Sequence, residues 1–152
     1  MSKYAENTSV AVDRSKTEIE RILSRYGAAS FGYMVKGDQA AIMFRAHGKQ
    51  IRFLLPLPDP DDEQFQRTPT GLRRKSTAVN EIYQQEVRRR WRALTLAIKA
   101  KLEAVQTGIA AFEQEFLAHI VLPNGQTVAE AVLPAIEESY RTGKVQALLP
   151  GW

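Results

Sequence analysis

The chain has 152 residues, 44% hydrophobic and 25% charged, with a formal net charge of +4 and no cysteine. That length suits one domain, 1–152, burying about two thirds of the surface its unfolded chain would expose. The lack of cysteine excludes disulfides, thiolate zinc sites and cysteine nucleophiles, and no apolar run approaches the ~18 residues of a membrane span.

The first dozen residues are polar and read as a flexible arm, 1–12. Ser15-Lys16-Thr17-Glu18 has the spacing of a capping box, followed by Ile19, Ile22, Leu23 and Tyr26 at i, i+3, i+4 and i+7. A helix over about 14–26, stopped by Gly27, is expected. The period then changes. Ser30 to Lys36, Gln39 to Ala46 and Lys49 to Leu57 alternate like strands, and Gly37-Asp38 and His47-Gly48 between them suit hairpins. A three-stranded antiparallel meander follows, with Ile42, Phe44, Ile51, Phe53 and Leu55 toward a core and Arg45 and Arg52 on the other face.

Pro56-Leu57-Pro58-Asp59-Pro60 cannot continue a central strand. A loop is expected over 56–75, Pro/Asp-rich and then basic. From Ser76 an apolar stripe runs through Tyr83, Val87, Trp91, Leu94, Ile98, Leu102, Phe112 and Phe116 to Ile120 at helix period. One unbroken helix over that stretch would span roughly 65 Å, too long for a small core. Either Thr107-Gly108 breaks it, or the helix protrudes and packs on another copy. Thr127-Val128-Ala129-Glu130 opens a last helix that Pro134 must kink or restart and that ends at Gly143, and the apolar tail from Val145 is expected to dock on the body or on a neighbour. The fold class is α+β: an N-terminal helix, the meander, a long basic amphipathic helix and a C-terminal helix.

Charge is unevenly spread. Residues 66–101 hold ten bases against two acids, a net of +8, whereas residues 102–152 hold two against six. A basic middle is an electrostatic footprint for a polyanion or an acidic partner. Its leading contacts are Arg73, Arg74 and Lys75 in the loop and Arg88, Arg89 and Arg92 on the helix, with Arg45 and Arg52 extending the track. Three explanations stand side by side: phosphates, an acidic face of the same or a neighbouring chain, and plain solvation. Trp91 belongs to the apolar stripe, so core packing is favoured over base stacking. Of the sheet aromatics Phe31, Tyr33, Phe44 and Phe53, at least half must be core.

Catalytic signals are sparse. His47 and His119 lack a third ligand at metal spacing, and the phosphate-binding glycine loops and the nucleophile-elbow motif do not occur. The cluster Asp59, Asp61, Asp62 and Glu63 lacks the glycine and distal glutamate of a calcium loop. It reads as a solvated turn, with no metal and no cofactor expected.

The segments Ala93-Leu94-Thr95-Leu96-Ala97-Ile98 through Val105 and Glu115-Phe116-Leu117-Ala118-His119 through Val128, with Leu55-Pro56-Leu57-Pro58-Asp59, resemble a family of small phage and prophage proteins. No activity attaches to that family, so no site residues follow from it. The resemblance implies a viral or mobile-element origin and the cytoplasm of a bacterial host, where small basic proteins handle DNA or block host defence. A meander followed by a long basic helix is also similar to the core of phage single-strand annealing proteins, an analogy of fold alone. The sequence therefore points to a non-enzymatic, homo-oligomeric nucleic-acid-binding protein. Its contacts would be largely sequence-independent, with DNA ahead of RNA and a role in single-strand binding or annealing. The alternative is a protein-interaction module, such as an inhibitor of a host defence complex, that docks on an acidic host protein. No membrane partner is expected.

Overall fold

The computed structural model describes residues 3–149, with side chains from residue 12 onward. In chain order it contains α1 (Lys3–Tyr26), β1 (Ser30–Lys36), β2 (Gln39–Ala46), β3 (Lys49–Pro56), α2 (Glu63–Gln66), α3 (Ser76–Gln106), α4 (Phe112–Glu115), a 3-10 turn (Leu117–His119) and α5 (Val128–Thr142). The architecture is the expected α+β arrangement.

The sheet is an antiparallel meander ordered β1-β2-β3, with Phe31 opposite Phe44 and Phe44 opposite Ile51. At the second hairpin His47 and Gly48 take φ of 53° and 73°. This pair of left-handed residues matches the twist of the flanking strands. Period-2 alternation turns Ile42, Phe44, Ile51 and Phe53 to one face, where Ile19 and Leu23 of α1 and Val87, Trp91, Leu94 and Ile98 of α3 close the core. The two helices run in the same direction. Lys16 sits over the Trp91 ring, and further along α1 the Tyr26 ring stacks on Phe112, just past the end of α3.

Three expectations change, and one open alternative is decided. The segment read as an arm is helical from Lys3, so Ser15 lies inside α1 and is no cap. Residues 3–14 contain neither glycine nor proline to stop a helix. The loop 56–75 contains the short helix α2, whose Asp62 carboxylate accepts the Gln64 N–H at 3.0 Å, and is braced by an Arg67–Arg73 bridge. Val145 is 94% exposed, so the described tail does not dock on the body there, and α5 runs through Pro134 without a restart.

The open alternative concerns the long stripe, which breaks at the glycine. Thr107 folds its hydroxyl back on Glu103 O at 2.8 Å, and Gly108 adopts φ 81°, a conformation a β-carbon resists. Ile109 is left 82% exposed. Beyond it the chain turns back on the sheet. Phe116 meets Phe44 and Phe53 edge-on, and Phe112 stacks on the His47 ring at 4.3 Å. Phe112 and Phe116 of the stripe are thus buried within one chain, whereas Ile109 is not.

Candidate nucleic-acid interface

At 100° per residue, Arg88, Arg92 and Lys99 fall on one flank of α3 and Glu86, Arg90 and Lys101 on the other, roughly 180° away. The second flank faces the sheet and the C-terminal segment, and there the bases are paired. Arg90 donates to Pro56 O at 2.7 Å and to Glu86 Oε1 at 3.1 Å, and Lys101 donates to the Glu115 carbonyl at 3.2 Å and its carboxylate at 3.4 Å. Glu86 also receives Arg89 through two bonds of 2.8 Å. Those bonds, with the help of Arg90 and against a contrary push from burial, hold the Glu86 carboxyl below its usual range.

The first flank borders α1. Arg14, Ser15 and Glu18 of α1 and Gln85, Arg88, Arg89, Arg92, Thr95 and Leu96 of α3 line an open groove of about 630 Å³. Trp91, on the buried side of α3, is 2% exposed and packed in the core as the periodicity required. Thr95 donates its hydroxyl to the Trp91 carbonyl at 3.0 Å. Among the described residues, the side chains of Arg14, Arg92 and Lys99 make no hydrogen bond or ion pair. Among the described residues that line it, the groove carries the guanidinium groups of Arg14, Arg88, Arg89 and Arg92 and the carboxylate of Glu18, with Arg89 also tied to Glu86.

The basic loop lies elsewhere. Arg67 is held by Glu63 at 3.4 Å and by Gly71 O at 3.1 Å, and Arg74 donates its Nε to Arg67 O at 3.1 Å. Arg73 and Lys75 are exposed. Arg73 and Arg74 line a second cleft, of about 400 Å³, with Gln66, Asn80 and Tyr83. Tyr83 and Arg92 stand about 180° apart around α3, so this cleft and the groove open on opposite sides of the helix.

Arg45 and Arg52 do not extend either patch. Alternation sends both to the face of the sheet away from α1 and α3, so the sheet itself separates them from the helical bases. Arg52 is committed: it donates to Gly125 O at 2.9 Å and to Glu130 Oε1 at 3.1 Å, fastening β3 to the start of α5. Burial pushes the Glu130 carboxyl up, but the bonds from Arg52 and Thr127 outweigh it and hold it low. Arg45 is exposed.

The expected contacts thus separate into the groove (Arg88, Arg89, Arg92), the loop (Arg73, Arg74, Lys75) and the far face (Arg45, Arg52). Arg14 joins the first group, and sequence reasoning missed it. Its one visible signal was that Arg14, Arg21 and Arg25 share a helical stripe, in a region whose total charge is balanced. The compensation expected from the acidic C-terminal third is partly present. Glu113, Glu115 and Glu130 pair with Lys49, Lys101 and Arg52, leaving the groove outside their reach.

The remaining candidates have structural partners. His47 accepts or donates a bond with the Tyr26 hydroxyl at 3.0 Å, and His119 stacks on Phe53 at 4.0 Å. Asp59 accepts the Asp61 N–H at 2.9 Å in a turn, and Asp62 caps α2. Among the described residues no group of three His, Asp or Glu is placed to hold a metal ion, and no helix is long and apolar enough to cross a membrane.

No family model, no curated protein and no solved structure matches this chain. The likeness to phage proteins rests on the quoted segments alone.

Proposed function

We propose that the chain binds single-stranded nucleic acid non-enzymatically, through phosphates laid along the groove between α1 and α3. The observation that carries this reading is the asymmetry of α3, whose sheet-side bases are neutralised while Arg92 and Lys99, with Arg14 across the groove, are left for a ligand. Arg88 and Lys99 lie about 16 Å apart along the helix at 1.5 Å per residue, a distance that several backbone phosphates span. Contacts of this kind position a strand without reading its bases. The loop pair Arg73 and Lys75 supplies a separate, weaker contact beyond the N-terminal end of α3.

Fluorescence anisotropy with a labelled oligothymidylate and a duplex of matching length tests the reading. Log affinity should fall linearly with log salt. Arg14→Ala combined with Arg92→Ala should flatten the slope by roughly 1.4 on the single strand, about 0.7 for each phosphate no longer neutralised. Arg45→Ala should leave it unchanged. Undetectable binding to either form at about 50 mM salt, or a slope indifferent to the double substitution, would discard the proposal in favour of an acidic protein partner.

A further inference from the structure

The two edges of the sheet are finished differently. Beside β3, Ile120 bridges to Ile51 and the Val121 N–H donates to Gln50 O at 2.8 Å. Beside β1 no strand lies among the described residues. The hydrogen-bond phase shows which groups β1 leaves over. Leu57 N–H donates to Asp38 O, in phase with even-numbered residues of β2 bonding β3. The odd-numbered ones therefore bond β1, in the pairs Gly32 with Met43 and Met34 with Ala41. Phe31, Tyr33 and Val35 are left with N–H and C=O groups pointing outward. Native edges of this kind are blunted by proline, a bulge or inward charge. Residues 30–35 contain no proline and no charge, and Tyr33, Met34 and Val35 are 48%, 52% and 56% exposed.

We infer that this edge pairs with β1 of a second copy, antiparallel, about a two-fold axis at Tyr33. The strand is complementary to itself in that register. Tyr33 faces Tyr33 of the second copy and Phe31 faces Val35, each such pair exchanging two hydrogen bonds. Met34 lies across from Gly32, where an added β-carbon would meet nothing within 4 Å, so the apolar Met34 side chain of each copy covers the glycine of the other. Lys36, the one charge in the strand, faces Ser30, and no like charges oppose.

The helices agree with this geometry. Lys16 reaches over the Tyr33 ring at 4.2 Å, so α1 lies toward the seam. Asp13 and Glu20 share that flank with Lys16, and two antiparallel α1 helices can match these opposite charges. An axis normal to the sheet keeps both helix layers on one side. The dimer would then present both α1–α3 grooves on a single face of a six-stranded sheet.

The chain has no cysteine, so Tyr33→Cys carries a single thiol. Paired residues of this type sit with Cα atoms about 5.5 Å apart, within disulfide reach. Mild diamide oxidation should link Tyr33→Cys into a covalent dimer and leave Leu96→Cys, exposed on α3, largely unlinked. Light scattering should report a dimer for the natural chain. Val35→Pro, which removes an outward N–H unused within one copy, should be a monomer with unchanged circular dichroism. If Val35→Pro fails to fold, the cysteine pair decides alone. A natural chain that stays monomeric at high micromolar concentration, a Val35→Pro dimer, or equal linking through Leu96→Cys overturns the inference.

Discussion

The two flanks of α3 are built from the same residue types and do different work. Arg90 and Lys101 sit where the helix meets β3 and the C-terminal segment, and each is tied to a carboxylate and a carbonyl. Arg92 and Lys99 sit beside α1 and are tied to nothing among the described residues. The contrast teaches that a basic run is not one feature. Neighbours in sequence point about 100° apart, so Arg89, Arg90 and Arg92 have three different fates: a local ion pair, a tertiary anchor and an open groove.

The largest test of this contrast removes what separates the flanks. Trp91→Ala should cost about 3–5 kcal/mol, because the indole is buried and the void cannot fully collapse. Urea denaturation would read this as a shifted midpoint, and retention of full stability would show that the indole is not core.

A paired substitution then sets flank against flank. Arg90→Ala with Lys101→Ala should lose about 1–2 kcal/mol, since charge-assisted bonds to carbonyls and carboxylates disappear, and should leave the salt slope of nucleic-acid binding intact. Arg92→Ala with Lys99→Ala should do the reverse, leaving stability unchanged and flattening the slope by roughly 1.4. If both pairs behave alike, the flanks are not functionally distinct.

Glu86→Gln sharpens the comparison by converting one state into the other. It releases Arg89 at the rim of the groove, and affinity at low salt should rise several-fold with a slope steeper by about 0.7. Stability should fall modestly, because Arg90 keeps its bond to Pro56 O.

The smallest effect is one of pH, on the sheet-side flank. Burial, reinforced by the nearby Lys101 charge, lowers the His119 pKa below its ordinary 6.5. Between that lowered value and 6.5 the unfolded chain binds more protons than the native one, so stability rises with pH there and is fully present above about 6.5. His119→Gln should flatten the dependence of the urea midpoint over that window, and an unchanged profile would place the titration elsewhere.

Much of the fold was legible because its signals are local. The strands, both two-residue hairpins and the start of α3 follow from alternation, turn residues and period, each carried by a few consecutive side chains. Trp91 was read correctly as core for the same reason. The start of α1 was misread because a capping box is only a permissive signal, and nothing between Lys3 and Arg14 stops a helix. The candidate site was legible in composition and not in geometry. Arg88 and Arg92 could be aligned from spacing, but Arg14 lies 74 positions before Arg88, and the joining of α1 to α3 depends on a packed sheet between them in the chain.

What the sequence determined by itself is the inventory of elements and the faces they bury, since periods of 2 and 3.6 are properties of each segment alone. The tertiary structure decided the rest. It chose the break at Gly108, because Phe112 and Phe116 gain a core by turning back, and a glycine tolerated in a helix costs little there or at its end. It also decided which bases are neutralised, because Coulomb attraction falls with distance and is screened by water. Only packing brings Glu115 to Lys101 and Glu130 to Arg52, and only packing leaves Arg92 lining the groove, with Lys99 on the same flank.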